Sequence, residues 1–213
     1  MLGIHDLGLF IASGLLLNIL PGPDSLLIMT RSATQGWRAG SAAAFGIGTG
    51  TLVHVMAAAL GLSALLATSA TAFSVVKWVG AAYIVYVGVA LLRSKQAADK
   101  EATPTPALAP LPYRKIFFQG FLTNVLNPKV AIFFLAFVPQ FISADAHSKP
   151  LAFVVLGCLF DFNGMLWCNA LSVFTAFASE RLKLKPRVTL WLNRVTGGLF
   201  LALGLRLALA KQT

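Results

Sequence analysis

The residues best suited to chemistry lie where two prolines interrupt an apolar segment, in Asn18-Ile-Leu-Pro21-Gly22-Pro23-Asp24. Prolines on both sides of a glycine break a helix, which frees carbonyl groups before the break and amide groups after it. The amides at the new helix start attract a carboxylate. The sequence therefore predicts a substrate site at Asn18, Pro21, Gly22, Pro23 and Asp24. Asp24 is expected either to cap the amides or to hold a substrate ammonium group.

A second interruption completes the predicted site, in Asn124-Val-Leu-Asn127-Pro128-Lys129. Its substrate-binding candidates are Asn124, Asn127, Pro128 and Lys129. A lysine at a helix start opposes the helix dipole, so Lys129 is expected to need a counter-charge. The candidates for that counter-charge are Asp24 and Asp161. The alternative is a lysine that extends toward the membrane interface.

Two further ionisable residues, His54 and Asp161, lie within other apolar segments. An ionisable group at membrane depth is costly, so both are candidate proton carriers. The alternative is a satisfied core histidine beside a buried packing carboxylate.

Other chemistries find little support in the sequence. Hydrolase, zinc-protease and phosphate-loop signatures are absent, so we expect no enzyme, and energy for transport must come from a gradient. Cys158 and Cys168 lie about 15 Å apart along a helix, too far for a disulfide, and are predicted to be packing residues. No metal or cofactor is expected.

The composition requires a membrane. Hydrophobic residues make up 57% of the 213 residues and charged residues 11%, more apolar surface than a soluble core of this size buries. Six apolar runs each reach the roughly 20 residues that span a bilayer as a helix. They are Leu7–Met29, Ala39–Ala67, Phe73–Leu92, Ile116–Phe141, Leu151–Ala178 and Val188–Ala210.

Lysine and arginine outnumber aspartate and glutamate by 17 to 7, and their placement predicts the orientation. The residues on one side are Arg31, Arg38, Arg93, Lys95, Lys100, Arg114, Lys115, Arg181, Lys183, Lys185, Arg187 and Arg194; those on the other are Lys77, Lys149 and Lys211. The basic side should be cytoplasmic, which places both termini outside. A re-entrant first run would instead place the N-terminus inside. The basic residues form no nucleic-acid-binding face.

The chain divides into two similar halves. Residues 1–95 hold three runs, 96–114 form a proline- and alanine-rich cytoplasmic linker, and 115–213 hold three more. Asn18 precedes Asn124 by 106 residues, and His54 precedes Asp161 by 107. Three runs per half invert the second copy, so the predicted fold is all-α, with six transmembrane helices in two inverted three-helix repeats and breaks in helices 1 and 4. Gly46, Gly48 and Gly50 predict close packing of the second run.

The sequence resembles the lysine-exporter (LysE) superfamily, most closely its homoserine/threonine efflux (RhtB) branch. The resemblance rests on Pro21-Gly22-Pro23-Asp24, Arg31, Gly36-Trp37-Arg38-Ala39-Gly40, Phe45-Gly46-Ile47-Gly48-Thr49-Gly50, Ala59-Leu60-Gly61-Leu62, Val79-Gly80-Ala81-Ala82-Tyr83, Gly88, Gly120-Phe121, Asn124, Asn127-Pro128-Lys129, Phe137 and Pro139-Gln140-Phe141. It implies a multi-pass bacterial inner-membrane exporter of amino acids or their derivatives, driven by the proton gradient.

The predicted function is therefore proton-coupled export of a neutral amino acid such as threonine, homoserine or leucine. The expected partners are that small molecule, protons and the lipid bilayer, and a homo-oligomer is compatible with the sequence. Two alternatives remain. Export of an inorganic cation would need several converging carboxylate, thiol or imidazole ligands, and a non-transporting membrane scaffold would need no intramembrane charge.

Overall fold

The computed structural model describes residues 2–62 and 110–178, together with single positions at 71, 75, 78, 82, 85, 86, 89, 93 and 198. The chain is an all-α polytopic membrane protein. The helices of its two continuous parts are α1 (Leu7–Ile19), α2 (Pro23–Gln35), α3 (Trp37–Ala57), α4 (Tyr113–Val125), α5 (Pro128–Ile132) and α6 (Lys149–Ala178). A π-helical turn, Ala58–Leu62, extends α3. A second π-helical turn and a 3₁₀ turn extend α5 to Phe141.

Two of these helical stretches are long and apolar enough to cross a bilayer unaided, Trp37–Gly61 and Lys149–Ala178. The pairs α1–α2 and α4–α5 qualify only when each pair is taken together, and they are bent by 54° and 47°. A bent pair is either a broken span or a re-entrant loop. The described residues therefore hold two to four crossings by length and composition.

Both bends follow from proline, as the sequence predicts. Pro23 and Pro128 occupy the first turns of α2 and α5, where the missing amide is tolerated, but neither can continue the preceding helix. The predicted ends of the runs were less accurate. The first run was expected to stop at Met29, whereas α2 continues to Gln35 and ends at Gly36, whose φ of 81° suits a glycine.

The helices pack around two apolar clusters. Phenylalanines dominate the larger one, in which the rings of Phe133 and Phe160 lie 4.7 Å apart. Alanines from α3 dominate the smaller one. There α3 and α4 touch backbone to backbone, because a Cβ on Gly46 would collide with the Phe117 carbonyl oxygen and one on Gly120 with the Ala43 carbonyl oxygen. This confirms the close packing predicted for the glycines of the second run.

The outer faces of α3 and α6 leave large apolar side chains exposed, as a lipid-facing surface requires. They include Phe45, Leu52, Phe162, Leu166, Phe174 and Phe177. Most of the third predicted run, all but one residue of the sixth, and most of the linker lie outside the described residues. The six-span count, the inverted repeat, the domain division and the orientation of the termini stay predictions.

Candidate functional site

The two helix breaks lie against each other. Lys129 Nζ lies 3.4 Å from the position that a Cβ on Gly22 would occupy. The break after α1 spans Leu20–Gly22, and the break after α4 spans Leu126 and Asn127. The structure thus brings together two segments that are more than 100 residues apart in the sequence.

Lys129 spans the two breaks. Its Nζ donates hydrogen bonds to the carbonyl oxygens of Leu17, at 3.1 Å, and Leu20, at 3.2 Å. These carbonyls belong to the end of α1, where the helix dipole is negative, so the ammonium group stabilises a helix end that lacks intrahelical partners. Both predicted counter-charges, Asp24 and Asp161, line the same cavity as Lys129, but no ion pair within 4 Å joins Lys129 to a carboxylate in the described part of the chain.

Asp24 spans the breaks in the opposite direction. Its Oδ2 accepts hydrogen bonds from Asn124 Nδ2, at 2.8 Å, and Asn127 Nδ2, at 3.1 Å. The alternative in which Asp24 caps α2 was wrong, since Gly22 occupies the capping position and no side chain caps that end. The other carboxylate oxygen, Oδ1, is buried without a hydrogen-bond partner.

Asn124 is the most completely paired polar residue at the breaks. Besides its bond to Asp24, its Oδ1 accepts from Thr51 Oγ1 at 3.3 Å, and its carbonyl oxygen lies 3.0 Å from His54 Nε2. Its predicted equivalent, Asn18, is different, because the Asn18 Nδ2 is buried without a partner. The paired asparagine fixes structure, whereas the unpaired one leaves a donor for another group.

His54 and Asp161 occupy different surroundings. The His54 ring stacks on Phe134, with ring centroids 6.3 Å apart, and its Nε2 must carry the proton because the Asn124 carbonyl can only accept. Asp161 is half-buried beside Gly48. Within the described residues, its carboxylate makes no hydrogen bond or ion pair.

A cavity of about 30 Å³ lies between the breaks and the helices α3 and α6. Five predicted site residues line it: Asn18, Asp24, Asn124, Lys129 and Asp161. The others do not. Pro21, Gly22, Pro23, Asn127 and Pro128 shape the breaks, and His54 lies outside the lining.

Several lining residues were missed by sequence reasoning. Thr51 lies one turn before His54 on α3, while Met165 and Cys168 follow Asp161 by four and seven residues on α6. That spacing places Met165 and Cys168 on the same face of α6 as Asp161, and Thr51 on the same face of α3 as His54. The spacing could have revealed all three. Cys168 was predicted only to pack, yet it lines the cavity. The remaining wall is largely apolar, with Leu17, Ile47, Val130 and Phe160.

The arrangement of charge suits a zwitterion better than a bare cation. A cation site needs several converging ligands, and in the parts of the chain that the structure describes no three His, Cys, Asp or Glu side chains could hold a metal ion. The cavity instead combines the ammonium group of Lys129, the carboxylates of Asp24 and Asp161, and the side-chain amide of Asn18, whose Nδ2 lacks an acceptor.

The chain is similar over nearly its whole length to one family of membrane translocators and to individual membrane proteins of bacteria. The model of the family described as LysE type translocator matches residues 15–211. A membrane protein of Pseudomonas aeruginosa is 31% identical over 98% of this chain and 97% of its own length. The membrane protein YrhP of Bacillus subtilis is 28% identical over 97% of this chain and 100% of its own length. A leucine efflux protein of Salmonella choleraesuis is 24% identical over 97% and 96%. No solved structure matches significantly.

Proposed function

The chain belongs to the LysE-type translocator family and is a transporter rather than an enzyme, and on that premise we propose that it exports neutral amino acids such as leucine, threonine or homoserine. The observation that carries the proposal is that Asp24 and Asn18, which both line the cavity, hold an unpaired buried acceptor, Oδ1, and an unpaired buried donor, Nδ2. The likeness to a leucine efflux protein over nearly the whole chain supports the amino-acid class. Membership of the homoserine/threonine branch remains part of the proposal.

The proposed binding mode uses both ends of the substrate zwitterion. The α-carboxylate accepts from Asn18 Nδ2 and from Lys129, whose ammonium group has three donors and uses two of them on carbonyls. The α-ammonium donates to Asp24 Oδ1. The substrate side chain lies against the apolar wall, which favours uncharged side chains over charged ones because a charge against that wall would be desolvated.

The cavity must widen during transport. Its volume of about 30 Å³ equals roughly the share of one water molecule in the liquid, which is too little for an amino acid. We propose that the substrate replaces part of the bonding across the breaks. Its ammonium group would compete for Asp24 with Asn124 and Asn127, and its carboxylate would compete for Lys129 with the carbonyls of α1.

We assign proton coupling to Asp161 rather than to His54. Asp161 lines the cavity together with the ionisable groups of Asp24, Lys129 and Cys168, and it has no competing partner there. The His54 ring is already engaged by Asn124 and Phe134. A carboxylate that takes up a proton as the substrate leaves would couple export to the gradient.

Counterflow in proteoliposomes tests the proposal. Purified protein should exchange radiolabelled leucine, threonine or homoserine, but not lysine or Mn²⁺. Asp24→Asn should abolish exchange, while Asp6→Asn, outside the cavity, should leave it unchanged. Asp161→Asn should retain exchange but lose flux driven by ΔpH. Absence of exchange for every neutral amino acid would refute amino-acid export, and full ΔpH-driven export by Asp161→Asn would refute the proton assignment alone.

A further inference from the structure

Arg31 is a buried cation that the transport site does not use. It lies on α2, and only 5% of its surface is exposed. Its Nη2 donates to Gln119 Oε1 at 2.9 Å, and its Nη1 donates to Gln35 Oε1 at 3.4 Å. Both partners are neutral, and the Arg31 Nε is buried without any partner. No carboxylate pairs with it among the residues that the structure describes.

A groove of about 450 Å³ runs beside Arg31, between α2 and α4. Arg31, Gln119, Thr30 and Thr123 supply polar groups to its wall, and leucines supply the rest. Two of those leucines are largely exposed, Leu26 at 60% and Leu122 at 54%. The groove shares no lining residue with the transport cavity, so it is a separate site.

The chemistry of the groove specifies its occupant. A buried guanidinium without an anion is costly, and its planar fork of donors matches the oxygens of a phosphate. The two glutamines hold the guanidinium through its Nη atoms, which leaves Nε and two further N–H groups for a ligand. The hydroxyls of Thr30 and Thr123 add donors, while exposed leucines favour an apolar chain.

We propose that this groove binds one anionic phospholipid, with its phosphodiester on Arg31 and an acyl chain along Leu26 and Leu122. Arg31 is among the basic residues predicted to face the cytoplasm, where anionic lipid attracts basic side chains. A free phosphate would satisfy the guanidinium but would leave the exposed leucines unused. The inference is independent of what the cavity transports.

Native mass spectrometry of the full-length protein in detergent tests the proposal, with phosphatidylglycerol and phosphatidylcholine added at equal concentrations. We expect one phosphatidylglycerol to be retained, with a preference of about tenfold or more over phosphatidylcholine, because the choline cation of phosphatidylcholine would lie close to the Arg31 guanidinium. Arg31→Gln should remove that preference. The matched control is Arg38→Gln, which removes the same charge from an exposed arginine stacked on Trp37 and should bind lipid like the wild type.

A second variant keeps the proposal testable if Arg31→Gln does not fold. Leu122→Trp leaves Arg31 and its glutamines in place but narrows the groove, and it should lower phosphatidylglycerol retention without changing the thermal midpoint. Equal retention of the two lipids, or unchanged retention by Leu122→Trp, would overturn the proposal. Displacement of the lipid by millimolar inorganic phosphate would also overturn it, since the site would then bind the free anion.

Discussion

The two helix breaks are built alike but differ in how completely their polar atoms are paired. At the break after α4, Asn124 uses its amide, its side-chain oxygen and its carbonyl in hydrogen bonds. At the break after α1, Asn18 Nδ2 and Asp24 Oδ1 are both buried and unpaired. Buried polar atoms without partners are rare in native structures and mark places where a ligand or water binds. The comparison supports the proposal that Asn124 has a structural role, whereas Asn18 and Asp24 bind the substrate.

The two breaks also carry opposite charges at the residue that follows the proline, Asp24 in one and Lys129 in the other. Asp24 and Lys129 each follow the proline that begins the second helix of a pair. Each side chain crosses to the other break, where Lys129 reaches the carbonyls of α1 and Asp24 reaches the amides of Asn124 and Asn127. Each break therefore obtains hydrogen-bond partners from a side chain of the other.

The largest effect is expected from Lys129→Met, which acts on both breaks at once. The change leaves two buried carbonyls of α1 without a donor and removes the proposed carboxylate receptor. Hydrogen bonds to charged groups contribute about 1.5–3 kcal/mol each, so stability should fall by about 3 kcal/mol or more. Leucine counterflow should be lost, and the thermal midpoint should fall by roughly 6–12 °C.

Lys115→Met is the matched control for that variant, because Lys115 lies exposed at the start of α4. It should retain both counterflow and thermal midpoint. Retention of counterflow by Lys129→Met would show that the two breaks do not depend on this ammonium group.

The contrast between the asparagines is tested directly by Asn124→Ala and Asn18→Ala. The first removes two buried side-chain hydrogen bonds, to Asp24 and from Thr51, and should lower stability by about 2–3 kcal/mol. The second removes an unpaired donor, so stability should change by less than about 0.5 kcal/mol. Leucine affinity of Asn18→Ala should nevertheless fall about tenfold, the equivalent of one lost bond to a carboxylate. Thermal unfolding and equilibrium binding of leucine measure the two quantities, and equal destabilisation by both variants would contradict the contrast.

The smallest effect is expected from His54→Gln, which sharpens the division of roles between His54 and Asp161. Glutamine keeps a side-chain N–H for the Asn124 carbonyl but loses the ring stacked on Phe134, which should cost about 1 kcal/mol and lower the thermal midpoint by roughly 2–4 °C. Flux driven by ΔpH should keep its full dependence on the gradient. A flux from His54→Gln that no longer responds to ΔpH would move the proton role from Asp161 to His54.

The sequence predicted the features that depend on local chemistry. Pro23 and Pro128 break their helices whatever the tertiary contacts. The glycines of α3 lack side chains, so a neighbouring helix can approach closely. Five predicted site residues also line the cavity, because a polar side chain within an apolar run is disfavoured against lipid and faces the interior of the helix bundle.

The features that depend on tertiary contacts were not predictable in the same way. Lys129 was expected to pair with an aspartate, but the ends of α1 supplied carbonyls nearer to its Nζ. Thr51 and Cys168 belong to no sequence motif. They line the cavity because Thr51 shares a helix face with His54 and Cys168 shares one with Asp161. The end of α2 was missed because Thr30 and Arg31 are polar yet remain helical until Gly36.

The hydrogen bond between Lys129 and Leu20 also sets an order in biosynthesis. The two residues are 109 positions apart, so the ribosome must add that many residues before α1 receives the donor for its last carbonyl. At 5–20 residues per second this takes roughly 5–20 s. During that time α1 is a nascent segment of 13 residues, about 20 Å long and too short to cross the hydrocarbon core alone. The Leu20 carbonyl at the end of α1 therefore gains its hydrogen-bond donor only after translation has delivered Lys129.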